Sequence, residues 1–209
     1  MTTDPQRPSR IDRRKTRTRN ALLGAARALL VEGSSTNVSI REITDRADVG
    51  FGSFYNHFAT KEELFEAAVG DVLEQHGARL HALTGDLEDP AEVFATRFRL
   101  TTRLATAAPA VATVFVRSGF EFLLSDRGLA PMALQDIDAA MRAGRFAPGN
   151  PHLGLVAASG CLFTFLQYRL ANPDLVGDAD ADTLTVQLLG MLGMADDEAA
   201  RIGHLPLPR

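Results

Sequence analysis

The sequence predicts an all-α fold, with a small three-helix head at the N-terminus joined by a linking helix to a larger helical bundle. Three observations predict it. The stretch Ser39 to Lys61 reads as two short helices about a tight turn. From residue 89 onward one helical pattern of apolar residues follows another. The charge is also split: through Lys61 there are 11 Lys and Arg against 6 Asp and Glu, and after it 11 against 20. A net charge of −4 therefore conceals a basic head suited to nucleic acid and an acidic body.

With 209 residues, 45% apolar and 23% charged, the chain has the make-up of a globular protein of one large or two small domains. The expected division is a basic flexible arm at 1–16, a helix-turn-helix head at 17–61, a body at 62–203 and a tail at 204–209. The single cysteine, Cys161, has no partner for an internal disulfide and fits a reducing cytoplasm. No apolar core follows the basic N-terminus, so no signal peptide is expected. The uncharged helical stretch His152 to Tyr168 is shorter than a bilayer span and contains two glycines, which favours a buried helix over a membrane segment.

In chain order, the arm is rich in Pro and Arg and has no periodicity. Arg7, Arg10, Arg13, Arg14, Lys15, Arg17 and Arg19 crowd together there, as a solvated tail or as an arm that neutralises phosphates. A first helix is expected from Arg17 to Glu32, with Leu22, Ala25, Ala26, Leu29 and Leu30 as its buried stripe and Gly33 as its stop. After a loop, Ser39 and Glu42 form a capping box, and Ile40, Ile43 and Ala47 form one apolar stripe. Asp48-Val49-Gly50 breaks this helix. In the next one Val49, Phe54 and Phe58 point inward, leaving Phe51, Gly52, Ser53, Tyr55 and Asn56 outward. An outward face with Phe, Tyr and Asn but no charge is unusual for a solvated helix and suits one lying in a DNA groove.

The segment V-G-F-G-S-F-Y-N-H-F-A-T-K-E-E-L resembles the recognition helix and following turn of the tetracycline-repressor (TetR) family of one-component bacterial regulators. The resemblance extends from about Arg17 to Leu73; beyond that only length and helical layout are similar. Two positions depart from the common pattern. Asp48 stands where Gly is frequent, and Asp tolerates the left-handed backbone that the turn needs. Gly50 stands where Ser or Thr often caps the helix, so no side-chain acceptor is available there. The resemblance implies a phosphate contact for Tyr55, and His57 and Lys61 are expected to act similarly, Lys61 at the start of the next helix. Phe51, Ser53 and Asn56 are the candidates for base edges, Asn56 by pairing with adenine and Phe51 against a thymine methyl, while Gly52 permits close approach. Arg41 and Thr44 are supporting contacts, and Arg17 and Ser39 complete the candidate DNA-binding set. Core packing is the alternative reading for Phe51, Tyr55 and His57.

Thr60 and Glu63 form a second capping box, opening a long helix to about Thr84. Leu64, Phe65, Ala68, Val69 and Val72 are its packing residues, and Gly70 and Gly77 mark a bend or a close neighbour. Helices are then expected over Asp89 to Ala107, from Pro109 through Val116, through Leu134, Ile137 and Met141, and from Pro151 to Ala171. The last of these is apolar nearly all round and should be buried on more than one side. A final long helix starts among Asp178, Asp180 and Asp182 and runs through Leu192. The resemblance implies that the last two long helices pair with their copies in a homodimer, with Gly154, Ala157, Ala158, Leu184, Leu188, Met191 and Leu192 as candidate interface residues.

Eight phenylalanines between residues 94 and 168 suit a core, and the resemblance implies an effector pocket among them. The candidates are Phe98, Thr101, Phe115, Phe122, Met141 and Phe163, with Arg97 as an anchor for an acidic group. A small apolar or aromatic effector is expected to tilt the linking helix and change the spacing of two recognition helices on an inverted-repeat operator, repression being the commoner outcome among similar proteins. No cofactor, metal or catalytic residue is expected: the chain has no phosphate loop, no H-E-x-x-H and no G-x-S-x-G, and its histidines lack metal-ligand spacing. A DNA-binding protein of the same fold, controlled by a protein partner or by no ligand, remains the alternative.

Overall fold

The structure is a computed structural model that describes residues 10–34, 37–119 and 128–208. Among these residues every regular element is helical. The chain divides into two compact units, Met1–Val69 and Gly70–Arg209. The boundary falls inside a long helix rather than at its start.

The first unit holds α1 (Arg10–Glu32), α2 (Ile40–Arg46), α3 (Phe51–Phe54) and the first turns of α4 (Lys61–Thr84). The arm expected at 1–16 is corrected over its described part, because α1 begins at Arg10 rather than Arg17. Periodicity is silent there since every residue from 10 to 17 is exposed. Arg and Lys are nonetheless good helix formers, and Asp12 in the first turn suits the positive end of the dipole. Leu22, Ala26, Ile43, Phe54, Phe58, Leu64 and Ala68 are the buried core of this unit.

Two local devices fix the path between its helices. The Ser39 hydroxyl accepts from the Glu42 amide at 3.2 Å, and the Glu42 carboxylate accepts from the Ser39 amide at 2.8 Å. Ser39→Ala should cost about 1 kcal/mol of stability, read as a lower denaturant midpoint with unchanged slope. Asp48 has φ +53°, the left-handed backbone expected of it, and lets the Val49 amide donate to the Thr44 carbonyl at 3.0 Å. At the start of α4, Thr60 accepts from the Glu63 amide at 3.1 Å, but the Glu63 carboxylate reaches the Ala59 amide rather than that of Thr60.

The second unit holds the remainder of α4, α5 (Pro90–Thr102), α6 (Leu104–Ala107), α7 (Pro109–Arg117), α8 (Leu129–Arg142), α9 (Pro151–Ala171), α10 (Asp178–Met191) and α11 (Asp196–Gly203). The helix expected over Asp89 to Ala107 is split at Arg103. Helix α5 packs against α8, α9, α10 and α11, and Phe94, Phe98, Ile137, Ala140, Leu188 and Ile202 form the core around it. Gly77 is the close approach anticipated in α4: a Cβ there would lie 3.2 Å from Met132 of α8, whereas Gly70 stands open. A separate α11 was not anticipated. Gly193, with φ +88°, turns the chain where a Cβ would run into Ala147, and Asp196, Asp197 and Glu198 open the new helix.

Buried ion pairs tie α5 to its neighbours. Asp182 of α10 accepts from Arg99 Nε at 2.8 Å and from Arg103 at 2.8 and 3.0 Å. Arg99 also donates to the Leu205 carbonyl at 2.6 Å, so the segment expected as a tail is fastened to the bundle at its first residues.

The expectation for α9 needs correction. Helix α9 is long and apolar enough to cross a membrane by length and composition, yet within one chain only Gly154, Ala158, Ser159 and Leu166 are buried. The candidate interface residues divide accordingly. Gly154 faces Ile137 and Leu192 of its own chain, at 3.0 and 3.1 Å from an ideal Cβ. Ala158, Leu188 and Leu192 lie in the same core, with Ala157 and Leu184 half-buried against it. These six pack inwards because they share the helix phase of the core stripe. Met191 remains on the surface, 68% exposed, with Leu153 at 68% and Val156 at 64%.

Candidate nucleic-acid interface and effector cavity

In the first unit, α3 carries its outward side chains on a single turn. Phe54, wholly buried, is the pin, with Phe58 at a ring distance of 6.1 Å. Phe51 and Tyr55 stand out from this base, 51% and 54% exposed, edge to face at 5.8 Å. Exposed aromatics held rigid by a neighbour offer a flat apolar face and, for Tyr55, a hydroxyl. Gly52 has open space where a Cβ would be, and Asn56 and Arg41 are exposed. Gly50 caps α3 through its backbone alone, as its lack of a side chain requires.

The other candidates of the head are placed as follows. Thr44 is corrected: it is 1% exposed and its hydroxyl donates to the Arg41 carbonyl at 2.9 Å, out of reach of any ligand. Ser39 is exposed, with its hydroxyl engaged in the capping box. Lys61 is half-buried and donates to the Val38 carbonyl at 3.3 Å. His57 is half-buried, and burial, then the charges of Arg19 and Lys15, push its pKa down, so it is neutral near pH 7. Arg19 itself lies over the Phe58 ring at 4.6 Å. Arg17 is exposed on the basic stretch of α1.

In the second unit, a cavity of about 60 Å³ lies among α4, α5, α7, α8 and α9. Of the sequence candidates it brings together Arg97, Phe98, Thr101 and Phe115. Phe122 lies outside the described residues. Met141 packs on the core cluster more than a turn beyond the cavity wall of α8, and Phe163 lines a separate surface depression with Thr164, Gln167 and Tyr168. Sequence reasoning missed Met132, Asp136, Ser159 and Leu162, which line the same cavity. One signal was available: Asp136 lies one turn before Ala140, in phase with the apolar stripe, where an acid requires a partner.

That partner is Arg97, which corrects its assignment as an anchor for an acidic effector. Its Nη1 donates to both Asp136 oxygens at 2.7 and 2.9 Å, and its Nε donates to Thr84 at 2.9 Å. The guanidinium is already neutralised, so a carboxylate entering the cavity would meet Asp136. Burial raises the Asp136 pKa, with Arg97 opposing. Behind the pair, His76 of α4 is buried with Nε2 at 3.0 Å from the Thr101 hydroxyl. The Thr101 proton goes to the Arg97 carbonyl at 2.8 Å, so the hydroxyl accepts and His76 carries its proton on Nε2. Among the described residues no buried side-chain nitrogen or oxygen lacks a partner. The cavity is therefore an apolar chamber with one polar end, and that end is a satisfied network reaching from α8 through α5 to α4.

Comparison with known proteins adds the relations of the chain. Residues 22–68 match the family described as bacterial regulatory proteins, tetR family, and residues 89–205 match the tetracyclin repressor-like C-terminal domain. The HTH-type transcriptional repressor KstR2 of Mycobacterium tuberculosis is 32% identical over 74 residues, 35% of this chain and 37% of that protein. The HTH-type transcriptional repressor Rv3405c of the same species is 38% identical over 98 residues, 44% of this chain and 47% of that one. The chain thus spans less than half the length of these curated relatives in each match. The crystal structure of RolR in complex with the ligand resorcinol is similar along nearly the whole chain: 31% identity, a TM-score of 0.75, and coverage of 94% of this chain and 98% of that one.

Proposed function

The chain belongs to the tetracycline-repressor family of bacterial regulators, and from that premise we propose that it is a homodimeric repressor of an inverted-repeat operator, released by a small uncharged aromatic molecule bearing hydroxyl groups. The observation that carries this reading is the Arg97–Asp136 pair at the polar end of an apolar cavity. A phenolic hydroxyl can donate to Asp136 or accept from Arg97 without adding charge, and a ring suits the walls of Phe98, Phe115 and Leu162. The likeness to a protein crystallised with resorcinol supports the same class.

Support for the dimer comes from the surface. Leu153 and Val156 of α9 and Met191 of α10 are exposed apolar side chains that a second copy would cover. A covered α9 has no need of lipid, and the protein works in the cytoplasm. The two heads of a dimer would meet successive major grooves about one helical turn, roughly 34–36 Å, apart. Helix α4 begins in the head and ends beside the cavity, where His76 and Thr84 touch the Arg97 and Thr101 network. A ligand that exchanges partners within this network biases α4, with coupling of about 1–3 kcal/mol.

Selection of bound sites from random duplex DNA at near-physiological salt tests the regulator reading, with light scattering to count the protomers. The expected result is an enriched inverted repeat bound by a dimer. Resorcinol and benzoate then test the effector class on that site: the neutral phenol should release the protein and the carboxylate should not. Release by benzoate alone would overturn the assignment of the Arg97–Asp136 pair. Tyr55→Phe should weaken binding about tenfold on every sequence, since it removes one hydrogen bond to a phosphate and no base contact; a loss confined to one base position in anisotropy titrations would contradict this.

A further inference from the structure

A notch of about 260 Å³ opens beside α3 on the head. Arg14, Lys15 and Thr18 of α1 form one wall; Ser53, Asn56 and His57 form the other. Ile11 completes the lining, and among the described residues no acidic side chain takes part. Arg14, Lys15 and Asn56 are exposed, while Thr18, Ser53 and His57 are half-buried. Two flexible cations, two hydroxyls, an amide and a neutral imidazole converge on one concavity, a donor-rich set with net positive charge. Such a set suits a tetrahedral dianion or monoanion with several acceptor oxygens.

We propose that this notch seats a backbone phosphate of duplex DNA, so that Asn56 and Ser53 position the head and do not read bases. The inference rests on the reading of the chain as a DNA-binding regulator and deepens it. A helix in the major groove meets base edges along the side that faces the groove floor and phosphates along its flanks. Helix α1 lies along one flank of α3, and a side chain that shares a concavity with Arg14 and Lys15 belongs to that flank. The extension of α1 back to Arg10 is what builds the second wall. Base reading then falls to residues outside the notch: Phe51 is exposed, Gly52 leaves the backbone open, and Arg41 is exposed on α2.

The experiment is a salt series of fluorescence-anisotropy titrations on the enriched site and on its single-base variants, with the full-length protein and Arg14→Ala, Lys15→Ala and Asn56→Ala. All three side chains are exposed, and a thermal melt of each variant checks that the head is folded. Arg14→Ala and Lys15→Ala should each reduce the slope of log affinity against log salt by about 2 per dimer, about 1 from each head. Asn56→Ala should weaken every base variant by the same factor and leave their order unchanged. A reordering at one base position by Asn56→Ala would overturn the proposal, as would an unchanged salt slope in both cation variants. If the unsubstituted protein enriches no site, the regulator reading itself falls; if it does and the variants behave otherwise than stated, only the notch assignment falls.

Discussion

Asp182→Ala is expected to remove about 3–5 kcal/mol of stability, as loss of one partner from a buried ion pair typically does. The side chain accepts from two guanidiniums, and Arg99 is 4% exposed while Asp182 and Arg103 are 17% and 19% exposed. Burial alone would raise the Asp182 pKa, but the hydrogen bonds and charges of Arg99 and Arg103 outweigh it and hold the carboxyl below its ordinary value. Without the carboxylate, Arg99 retains among the described residues the Leu205 carbonyl, and Arg103 has Asp178 at 3.8 Å and the Arg99 carbonyl at 3.2 Å. Two poorly neutralised cations would then lie between α5 and α10. Denaturant unfolding followed by circular dichroism reads the loss. The control is informative: replacing Asp182, Arg99 and Arg103 together by apolar residues of similar volume should restore much of the stability, because the desolvation cost leaves with the charges. If Asp182→Ala proves neutral, the cluster is solvated and contributes no cohesion.

Acid should destabilise the body in a window set by His76. Burial, and then the charge of Arg79, lower its pKa from 6.5 to about 4. Above pH 6.5 the ring is neutral both folded and unfolded, and it adds no pH dependence. Between 6.5 and about 4 the unfolded chain takes up a proton that the folded chain refuses, so stability falls with pH by about 3 kcal/mol in all. The groups around it act elsewhere or in the opposite sense. Asp136, raised by burial, carries a penalty at neutral pH that is relieved as it protonates. Asp182, lowered from 3.8, loses its contribution only as pH falls below that value. Thermal melts of the native protein and of His76→Gln from pH 8 to about 3 separate these terms. The variant should lose the decline across the His76 window while keeping the steeper loss below it; an identical decline in both proteins would show that His76 is not the source.

Much of the head was legible because its signals are local. Ser39 with Glu42, the break at Asp48 to Gly50, and the inward phase of Phe54 and Phe58 need only neighbours in sequence. The N-terminal extension of α1 was not legible by periodicity, since a helix with no buried face has no stripe. The cavity shows a different limit. Phe98, Thr101 and Phe115 are visible as apolar or small residues in helical phase, but the partner of Arg97 lies 39 residues further on, and no local pattern joins the two. An isolated arginine therefore looks like an anion site when it is half of a pair. Small residues of α9 misled for a related reason. Gly154 and Ala158 do mark close helix contact, but composition does not say whose helix. Phase would have: they alternate with Leu153 and Val156, so one set faces the chain's own core and the other faces outward.

The cavity of about 60 Å³ has a consequence for how such a sensor is tuned. A benzene-sized guest occupies a chamber of about 150 Å³ in a well-studied engineered case, so an aromatic guest must open this one before it fits. The work of parting α5, α8 and α9 is subtracted from its affinity, and the fraction of molecules already open sets the apparent dissociation constant. If the proposed effector acts here, the dose at which the protein responds would be a property of wall stiffness as much as of ligand contacts. Trimming Phe115 or Leu162 would shift the threshold downward without touching the polar end. On the proposed reading, selection has a coarse dial and a fine one: the pair at Arg97 and Asp136 would decide which molecules count as a signal, and the packing around it would decide how much is enough.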